Sequence, residues 1–391
     1  MGNYGIGNAG DDILRDYFLE RFPDVEWRVL SAHPQGNELH RFPGGIRSLL
    51  SCRWVRTLKA LRQSRGMVFG GGSLWTDTES LHACIVWSLH VLFARMFRKP
   101  YLLAFQGIGP FKTRWGEVLA RWVVKHASFI SVRDTASFAR LSGLSSTETR
   151  GDSREASGEA SRRSATRFAR GEQKIEKLAP SEAEHQRGRI EGWIKNTRVV
   201  QSFDPALALL HGKNESLRTK NVFIFIPRFS TGWNSRMQEK FAGFFRKIQA
   251  QGGEIRLLSL HSGDLREKML FQRFGETLGV RLEAVSSLRS IPALLTGATC
   301  VLTERYHGAI ASIAAGVPFF ALHKVEGDKL HSLSSMCDCP SETLQSFREQ
   351  AFLSMDWERK REKVASIKHS FEELIRKGEE QLRVMLRSEA P

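Results

Sequence analysis

The chain has 391 residues, more than a single hydrophobic core usually supports, so two domains are expected. Hydrophobic residues make up 41% of the chain, which is enough to fill two cores. Its formal net charge of +16 favours an anionic partner: a phosphorylated metabolite, an anionic glycan, an acidic membrane surface or nucleic acid. The five cysteines are odd in number and do not have the paired spacing of a zinc site. They therefore argue against a disulfide framework and for a reducing compartment. No metal site is expected, because Cys337-Asp338-Cys339 is best interpreted as a surface turn before Pro340.

Neither a signal peptide nor a membrane-spanning helix is predicted. The chain starts without an apolar segment, and its most apolar helix candidate, residues 81–97, contains His82, His90 and Arg95. That candidate is also shorter than the roughly 20 residues that a bilayer requires. We therefore expect a cytoplasmic protein in which residues 81–97 form a buried helix.

Predicted strands and helices alternate in both halves of the chain, as they do in parallel sheets covered by helices. The first half contains helix 12–22, strand 27–30, helix 46–65, strand 67–69, helix 81–97, strand 101–105, helix 115–126, strand 129–132 and a short helix that ends at residue 141. The second half contains strand 222–226, helix 235–249, strand 254–260, helix 265–278, strands 281–284 and 300–302, helix 309–316, strand 319–322 and the long amphipathic helix 357–386.

Between the halves the composition changes. Residues 145–196 are rich in Ser, Glu, Arg, Gly and Ala and nearly lack aromatic and branched residues, so they cannot bury enough surface to fold alone. We predict a Rossmann-like acceptor-side domain over residues 1–144, a charged insertion or linker over 145–198, and a second Rossmann-like domain with a long closing helix over 199–391. This α/β arrangement of two parallel sheets is the layout of a GT-B type enzyme, whose active site is the cleft between the domains.

The glycines near the N-terminus do not indicate a dinucleotide site, although residues 5–10 fit the pattern G-x-G-x-x-G. Only four residues precede Gly5, too few for the strand that the motif requires. No carboxylate for a ribose follows the next predicted strand, and Asp11 and Asp12 would repel a pyrophosphate at the helix start. Nicotinamide binding is therefore excluded.

Polar and glycine-rich clusters follow predicted strands, at the edge where open α/β sheets bind ligands. They are Gly70-Gly71-Gly72-Ser73-Leu74, Gln106-Gly107-Ile108-Gly109-Pro110, Ser131-Val132-Arg133-Asp134 and Thr303-Glu304-Arg305-Tyr306-His307-Gly308-Ala309. In the last cluster a helix N-terminus favours an anion, Arg305 adds a planar cation, and His307 adds a group that exchanges protons near neutral pH. Alternatively, each cluster is ordinary turn chemistry, with His307 capping a helix and Arg305 pairing with a carboxylate.

Together with Gly7-Asn8-Ala9-Gly10-Asp11, these ordered motifs resemble those of the polysaccharide pyruvyl transferase family. The resemblance covers nearly the whole chain outside residues 145–196 and includes weaker matches at 202–207 and 322–325. It implies transfer of an enolpyruvyl-derived group from phosphoenolpyruvate to a sugar hydroxyl, ending as a cyclic pyruvate ketal on a cell-surface glycan. The family ordinarily has a complete strand before its first motif, whereas Met1 lies almost at the motif here. We expect either that the start codon was assigned late or that this edge of the sheet is filled otherwise.

The resemblance and the chemistry of the donor together suggest roles for the site residues. His307 is the expected acid/base, with Glu304 or Asp134 as less favoured helpers. Arg133 and Arg305 are the expected ligands of the donor's carboxylate and phosphate, converging across the cleft although roughly 170 residues separate them. The expected substrate-binding residues are Asn8, Asp11, Gly71, Gly72, Ser73, Gly107, Asp134, Arg228, Glu304, Tyr306 and Lys324. Neither a metal nor a cofactor is expected besides phosphoenolpyruvate as the donor substrate.

Two other functions stay open. A GT-B glycosyltransferase that uses a nucleotide sugar would have the same architecture, and a non-catalytic protein that binds an anionic glycan would have the same charge. A nucleic-acid partner is not expected, because the basic residues are scattered and no nucleic-acid-binding motif is recognisable.

Residues 46–65 interleave Leu, Val and Trp with Arg and Lys at helical spacing, as an interfacial helix does. A lipid-linked oligosaccharide acceptor would make peripheral contact with the inner membrane face useful. The alternative, which we favour, is a helix that packs its Leu face on the sheet and exposes its cations to water.

Overall fold

A computed structural model describes the fold over residues 1–43, 46–78, 80–142, 199–210, 221–228, 232–260, 265–280, 282–285, 287–325 and 328–388. The predicted insertion at residues 145–198 lies outside these ranges. Within them, no helix is both long and apolar enough to cross a membrane.

The N-terminal half alternates helices and strands, as predicted. Its elements are α1 (Ala9–Arg21), β1 (Leu30–Ser31), β2 (Leu39–His40), α2 (Ile46–Leu50), α3 (Val55–Gln63), β3 (Met67–Trp75), α4 (Leu81–Met96), β4 (Tyr101–Ile108), α5 (Arg114–Lys125), β5 (Phe129–Val132), α6 (Thr135–Leu141) and β6 (Val199–Gln201). Strands β3-β4-β5-β6 form one parallel sheet in that order, while β1 and β2 pair separately. Residues 199–201, which the sequence assigned to the second domain, thus complete the first sheet by pairing with β5.

Strands β3 and β4 continue beyond their predicted ends, so two of the glycine clusters lie within the sheet instead of after it. Gly70 has no room for a side chain, because an added Cβ would lie 2.5 Å from the Phe18 ring of α1. Gln106 bridges the irregular part of β3, since its amide donates to the carbonyls of Phe69 and Gly71, both at 3.0 Å. Close packing of α1 on β3 therefore explains the glycine run.

The first residue of the chain pairs with the outer edge of β3. The Met1 ammonium donates to the Val68 carbonyl at 2.7 Å, and the Gly70 N–H donates to the Met1 carbonyl at 2.8 Å. One residue thus occupies the edge on which the family's first strand was expected.

The predicted helix 46–65 is in fact two helices, α2 and α3. Cys52 between them has a φ of 54°, a left-handed conformation that a helix cannot contain. Helix α3 buries Thr57 and Leu61 and exposes Arg56 and Lys59. This burial pattern matches the alternative of a helix packed on the sheet with its cations in water.

Helix α4 was predicted to be buried, and this prediction was wrong for one of its sides. Trp87, Val91 and Ala94 are buried, whereas Leu92 and Met96 are 43% and 67% exposed. The sequence did not reveal this difference because both sides of the helix are apolar.

The C-terminal half contains a parallel sheet of strands in the order β12-β11-β10-β7-β8-β9. Its elements are β7 (Val222–Ile226), α7 (Ser235–Ala250), β8 (Glu254–Ser259), α8 (Leu265–Leu278), β9 (Leu282–Ala284), α9 (Ile291–Leu295), β10 (Cys300–Thr303), α10 (Tyr306–Ala314), β11 (Phe319–His323), α11 (Lys329–Met336), β12 (Ser341–Thr343), α12 (Glu349–Leu353) and α13 (Trp357–Ser388). In chain order, β7, β8 and β9 extend the sheet toward one edge, and β10, β11 and β12 then extend it from β7 toward the opposite edge. The topological switch point, where such sheets bind ligands, therefore lies between β7 and β10.

The turn at residues 337–339 differs from its prediction. Cys337 and Cys339 were expected on the surface, but both side chains are buried in the hydrophobic core that also contains α10 and α13. Asp338 between them is exposed and accepts a hydrogen bond from Lys360 of α13 at 3.0 Å. The turn is thus fixed by the packing of its two cysteines in the core and by the hydrogen bond between Asp338 and α13.

One hydrophobic core joins the two halves. It combines side chains of α1 and β5 with those of β10, α10 and α13. Helix α13 returns to the N-terminal half, where Phe371 stacks on Phe203 with ring centroids 3.8 Å apart. Its Glu379 binds Arg21 of α1 at 2.7 Å. The two halves are therefore held together by extensive packing and not by the chain connection alone.

The tight contact between α13 and the first sheet predicts an effect of Gly378→Ala. An added Cβ would lie 2.5 Å from Ser202 Oγ and 2.9 Å from the Phe105 ring, so the helix must shift. Gly243→Ala in α7 is the matched control, because nothing lies within 4 Å of its added Cβ. Both substitutions gain similar helix propensity, so we expect Gly378→Ala to be less stable than Gly243→Ala by about 1–3 kcal/mol. Equal midpoints of urea unfolding for the two variants would contradict the contact.

Candidate active site

The candidate site is built around the junction of β10 and α10, at the switch point of the C-terminal sheet. Helix α10 starts at Tyr306, earlier than predicted, so His307 lies in its first turn. The turn from strand to helix is closed by Thr303, whose Oγ1 accepts the Arg305 N–H at 3.0 Å. Arg228 follows β7, the neighbouring strand, and therefore lies at the same edge of the sheet.

A buried ion pair between the two halves forms the centre of the site. Arg133 follows β5, is 1% exposed, and donates from Nη1 to Asp204 Oδ2 at 2.5 Å. Its Nη2 donates to Ser73 Oγ at 2.9 Å, and its Cζ lies 4.8 Å from the centre of the Tyr306 ring. The sequence placed Arg133 in the cleft as an anion ligand. In the structure its guanidinium is paired with Asp204 and Ser73, because a buried charge requires a partner of opposite charge. Its role as an anion ligand stays a prediction.

His307 lies against this ion pair, in the interface between the halves. Its Nε2 is 4.0 Å from Asp204 Oδ2 and, among the described residues, has no hydrogen-bond partner although it is buried. Gly10 of α1 approaches the ring so closely that an added Cβ would lie 2.0 Å from Nδ1. Burial lowers the pKa of His307 to about 3, although the charge of Asp204 raises it. The imidazole is therefore neutral near pH 7.

Asp11 and Lys329 connect the first turn of α1 with the C-terminal half. Asn8 caps α1 and also donates to Asp11 Oδ2 at 2.7 Å. Burial raises the pKa of Asp11, while the charges of Lys329 and Arg133 lower it. Lys329 Nζ lies 5.3 Å from the centre of the Tyr306 ring. Helix α11 thus brings a further cation to the site.

Glycines shape the N-terminal wall of the site. An added Cβ at Gly107 would lie 2.5 Å from Ser73 Oγ, and one at Gly72 would lie 3.9 Å from Asp11 Oδ1. Gly71 has a φ of +76°, which side chains rarely adopt, and it packs against α1. Ser73 can lie against the backbone of β4 only because Gly107 lacks a side chain.

Asp134, one of the helpers suggested for proton transfer, is the N-cap of α6. Its Oδ1 accepts from the Ser137 N–H at 2.7 Å, and its Oδ2 accepts from Ser137 Oγ at 2.9 Å. A carboxylate that uses both oxygens to hold a helix terminus has a structural role. We therefore do not assign proton transfer to Asp134.

A second polar cluster surrounds Glu304. Its Oε2 accepts hydrogen bonds from the Arg228 N–H and from Trp233 Nε1, each at 2.7 Å. Burial raises the pKa of Glu304 to about 7, although these hydrogen bonds and the charges of Arg305 and Lys324 lower it. A carboxyl group with this pKa exchanges protons near neutral pH. The role of Glu304 as a helper in proton transfer stays a prediction.

The structure brings the two predicted arginines toward one group. The charges of Arg133 and Arg305 both lower the pKa of His307, as does the charge of Lys329. Arg305 Nε donates to the Pro227 carbonyl at 3.3 Å, which places its side chain over the end of β7. That Arg133 and Arg305 converge on one bound anion stays a prediction.

Sequence analysis missed some residues that the fold brings to the site. Asp204 gave a signal, since it caps the 3₁₀ turn Pro205–Leu209 within a weaker family match, but its partner could not be inferred. Gly10 belongs to the first motif, yet only the fold shows that it lies against His307. Lys329 and Trp233 lie in no recognisable pattern, and only tertiary structure places them.

The raised pKa of Glu304 predicts a pH dependence of stability. The folded protein holds this proton up to about pH 7, whereas a glutamate in the unfolded chain releases it at about pH 4.5. Protonation therefore favours folding, and this contribution is lost as the pH rises through 7. Glu304→Gln keeps the shape without the charge and should not show this loss. The difference in unfolding free energy between wild type and Glu304→Gln should change between about pH 4.5 and pH 7. A difference that does not depend on pH would contradict the raised pKa of Glu304.

Comparisons with solved structures agree with this architecture. The chain is similar to the UDP-glucose: anthocyanidin 3-O-glucosyltransferase in complex with UDP, at 10% identity and a TM-score of 0.52, over 99% of this chain and 98% of that chain. It is also similar to MurG of Acinetobacter baumannii, at 8% identity and a TM-score of 0.49, over 99% and 98% of the two chains. The likeness to the first structure confirms the predicted GT-B arrangement. No curated protein sequence matches the chain.

The family comparison tests the ordered motifs directly. A sequence model of the polysaccharide pyruvyl transferases matches residues 8–153 and 188–322. These ranges include the first motif from Asn8 onward, the glycine clusters and the junction that carries Arg305 and His307. Because the match covers more than half of the chain, on both sides of the insertion, this protein belongs to the polysaccharide pyruvyl transferase family, a family of transferases.

Proposed function

We propose that this protein transfers an enolpyruvyl-derived group from phosphoenolpyruvate to a sugar hydroxyl of a cell-surface polysaccharide or of its lipid-linked precursor. The products are a pyruvate ketal and phosphate. The observation that supports this best is a neutral, buried imidazole within the field of Arg305 and Lys329 at the N-terminus of α10. A donor that carries both a carboxylate and a phosphate suits such a set of cations.

The donor's anionic groups are assigned to the C-terminal half. Arg305, Arg228 and Lys324 lie around the ends of β7, β10 and β11, and the first N–H groups of α10 add a partial positive charge. Arg133 acts indirectly in this proposal, because it holds Asp204 beside His307. Charge neutralisation is thus assigned to side chains, and the proposed reaction uses neither a metal nor a further cofactor.

Proton transfer is assigned to His307. A bound anion beside the ring raises the pKa of the imidazole, so the ring gains a proton when the donor binds. The imidazolium then protonates C3 of the donor, which converts the methylene group to methyl and leaves a cationic centre at C2. One sugar hydroxyl attacks C2, and a second displaces phosphate to close the ketal. Of the two hydroxyl protons, one returns to His307 and the other leaves with phosphate.

His307→Ala should lower transfer by about 100-fold to 10,000-fold, the usual contribution of a general acid/base. His369→Ala is the matched control, because His369 is 92% exposed on α13, outside the site. Activity is measured as phosphate release from phosphoenolpyruvate with lipid-linked or nitrophenyl glycoside acceptors. Near-normal turnover of a folded His307→Ala protein would rule out this role.

The two arginines should respond differently to substitution. Arg305→Ala removes a proposed donor ligand and should raise the KM for phosphoenolpyruvate by about 10-fold to 100-fold, because hydrogen bonds to charged groups contribute roughly 1.5–3 kcal/mol. Arg133→Ala leaves Asp204 buried without its cation and should lower stability by about 3–5 kcal/mol. Unfolding midpoints and KM values together separate these effects. A KM effect of Arg133→Ala without loss of stability would instead make Arg133 a direct ligand.

The same assay distinguishes the alternatives. Release of a nucleoside diphosphate from a nucleotide sugar, with no phosphate released from phosphoenolpyruvate, would support a GT-B glycosyltransferase. Glycan binding without turnover of either donor would support a non-catalytic role. We also propose a cytoplasmic location, where phosphoenolpyruvate is the available donor.

A further inference from the structure

Exposed apolar side chains are concentrated on one side of the N-terminal half. Of the fifteen large hydrophobic side chains that are exposed in the described ranges, nine lie there. We call this surface the outer helical face; its members are Leu49, Leu50, Val55, Ile85, Leu89, Leu92, Met96, Trp115 and Val118.

Seven of these side chains belong to α3, α4 and α5, which cover the same face of the sheet; Leu49 and Leu50 belong to α2, which precedes α3 in the chain. Leu61 of α3, Val91 of α4 and Val123 of α5 belong to a single hydrophobic cluster on β3, β4 and β5. The residues on the opposite sides of these helices therefore all point away from the sheet. The exposed side chains of α3, α4 and α5 therefore lie on the same outer side of the N-terminal half.

Helix α4 forms the centre of the outer helical face. Ile85, Leu89, Leu92 and Met96 follow one another at intervals of three or four residues and are 37–67% exposed. A helix that is apolar all round is ordinarily covered on every side. A contiguous exposed apolar surface of this kind marks an interaction site.

The charges around this surface are almost all positive. Residues 46–126 contain thirteen Lys and Arg against three Asp and Glu, which is a net +10 of the chain's +16. Of the acidic residues, Asp77 is 4% exposed, and Glu117 is paired with Arg121 at 2.7 Å. The outer helical face therefore combines apolar side chains with cations that few carboxylates offset.

We infer that the outer helical face docks on an anionic lipid leaflet. Apolar side chains among Lys and Arg are the composition of interfacial membrane contacts, and Trp115, 70% exposed, suits the boundary between headgroups and acyl chains. A second copy of the chain fits less well, because a symmetric interface would bring the same cations together. The contact is peripheral and extends the predicted one at residues 46–65 across α4 and α5.

The position of the outer helical face relates it to the candidate active site. Helices α4 and α5 start just after β3 and β4, at the edge of the sheet that carries Ser73 and Gly107. Trp115 and Val118, in the first turns of α5, therefore lie toward the same edge as the site. The docking itself does not depend on the proposed transfer reaction and is measured without turnover.

Vesicle binding by the full-length protein tests the inference. Vesicles of phosphatidylcholine with about 30% phosphatidylglycerol are compared with pure phosphatidylcholine vesicles at low salt. We expect the protein to pellet with the first and not with the second. Each cation near an anionic leaflet contributes roughly fivefold in affinity, so reversing Arg53, Arg56 and Lys59 to Glu should weaken binding by at least about 100-fold.

The apolar contribution is tested with matched variants. Leu92→Ser combined with Met96→Ser and Trp115→Ser should weaken vesicle binding by about 10-fold or more. The control combines Leu265→Ser, Met269→Ser and Val384→Ser, which replace side chains of similar exposure in the C-terminal half. It should bind as wild type does.

Two results would overturn the inference. One is that wild type, the triple Glu variant and the triple Ser variant pellet equally with the anionic vesicles. The other is a dimer in vesicle-free solution, measured by light scattering, that the triple Ser variant of the outer helical face converts to a monomer. That outcome would assign this surface to a second copy of the chain.

Discussion

The ion pair between Arg133 and Asp204 is the interaction on which the site depends. Arg133 ends a strand of the first sheet, and Asp204 lies in the segment that leads into the second half. Neither charge is tolerated in a dry interface without the other, so the pair fixes the relative position of the two segments. Tyr306 lies over the guanidinium, which extends the same constraint to the first turn of α10. Motif residues that are far apart in sequence therefore share one rigid environment.

Burial acts in opposite directions on the two titratable groups of this environment. It lowers the pKa of His307 to about 3 and raises the pKa of Glu304 to about 7, because loss of hydration disfavours any charged form. Both shifts favour the neutral form, and the side chains of Arg305 and Lys329 lie close enough to lower the pKa of one or both groups. A site with neutral proton carriers and fixed cations attracts an anion and changes its protonation when the anion binds. In the proposed function, this coupling would link donor binding to the protonation of His307.

Local sequence was enough for much of the fold. Apolar segments predicted most strands of the two larger sheets, because strands buried on both faces are continuous apolar runs. The short edge strand β12 was not predicted, since Ser341–Thr343 is polar. Strand β6 was missed because it directly follows the charged insertion, and the break at Cys52 was missed because a single left-handed residue leaves no pattern. The ion pair of Arg133 with Asp204 was not predicted, because the two residues are 71 positions apart in sequence. Ion pairs between residues that are distant in sequence depend on tertiary structure and cannot be predicted from local sequence patterns.

The contact between Gly10 and His307 also constrains motion between the halves. Any movement that separates α1 from α10 hydrates the imidazole and returns its pKa from about 3 toward the ordinary value of 6.5. Protons therefore bind the separated arrangement more tightly than the packed one, and acid favours separation between these two values. Protonation of this ring therefore opposes the packed interface. The packed interface requires an uncharged ring on one side and a position without a side chain on the other.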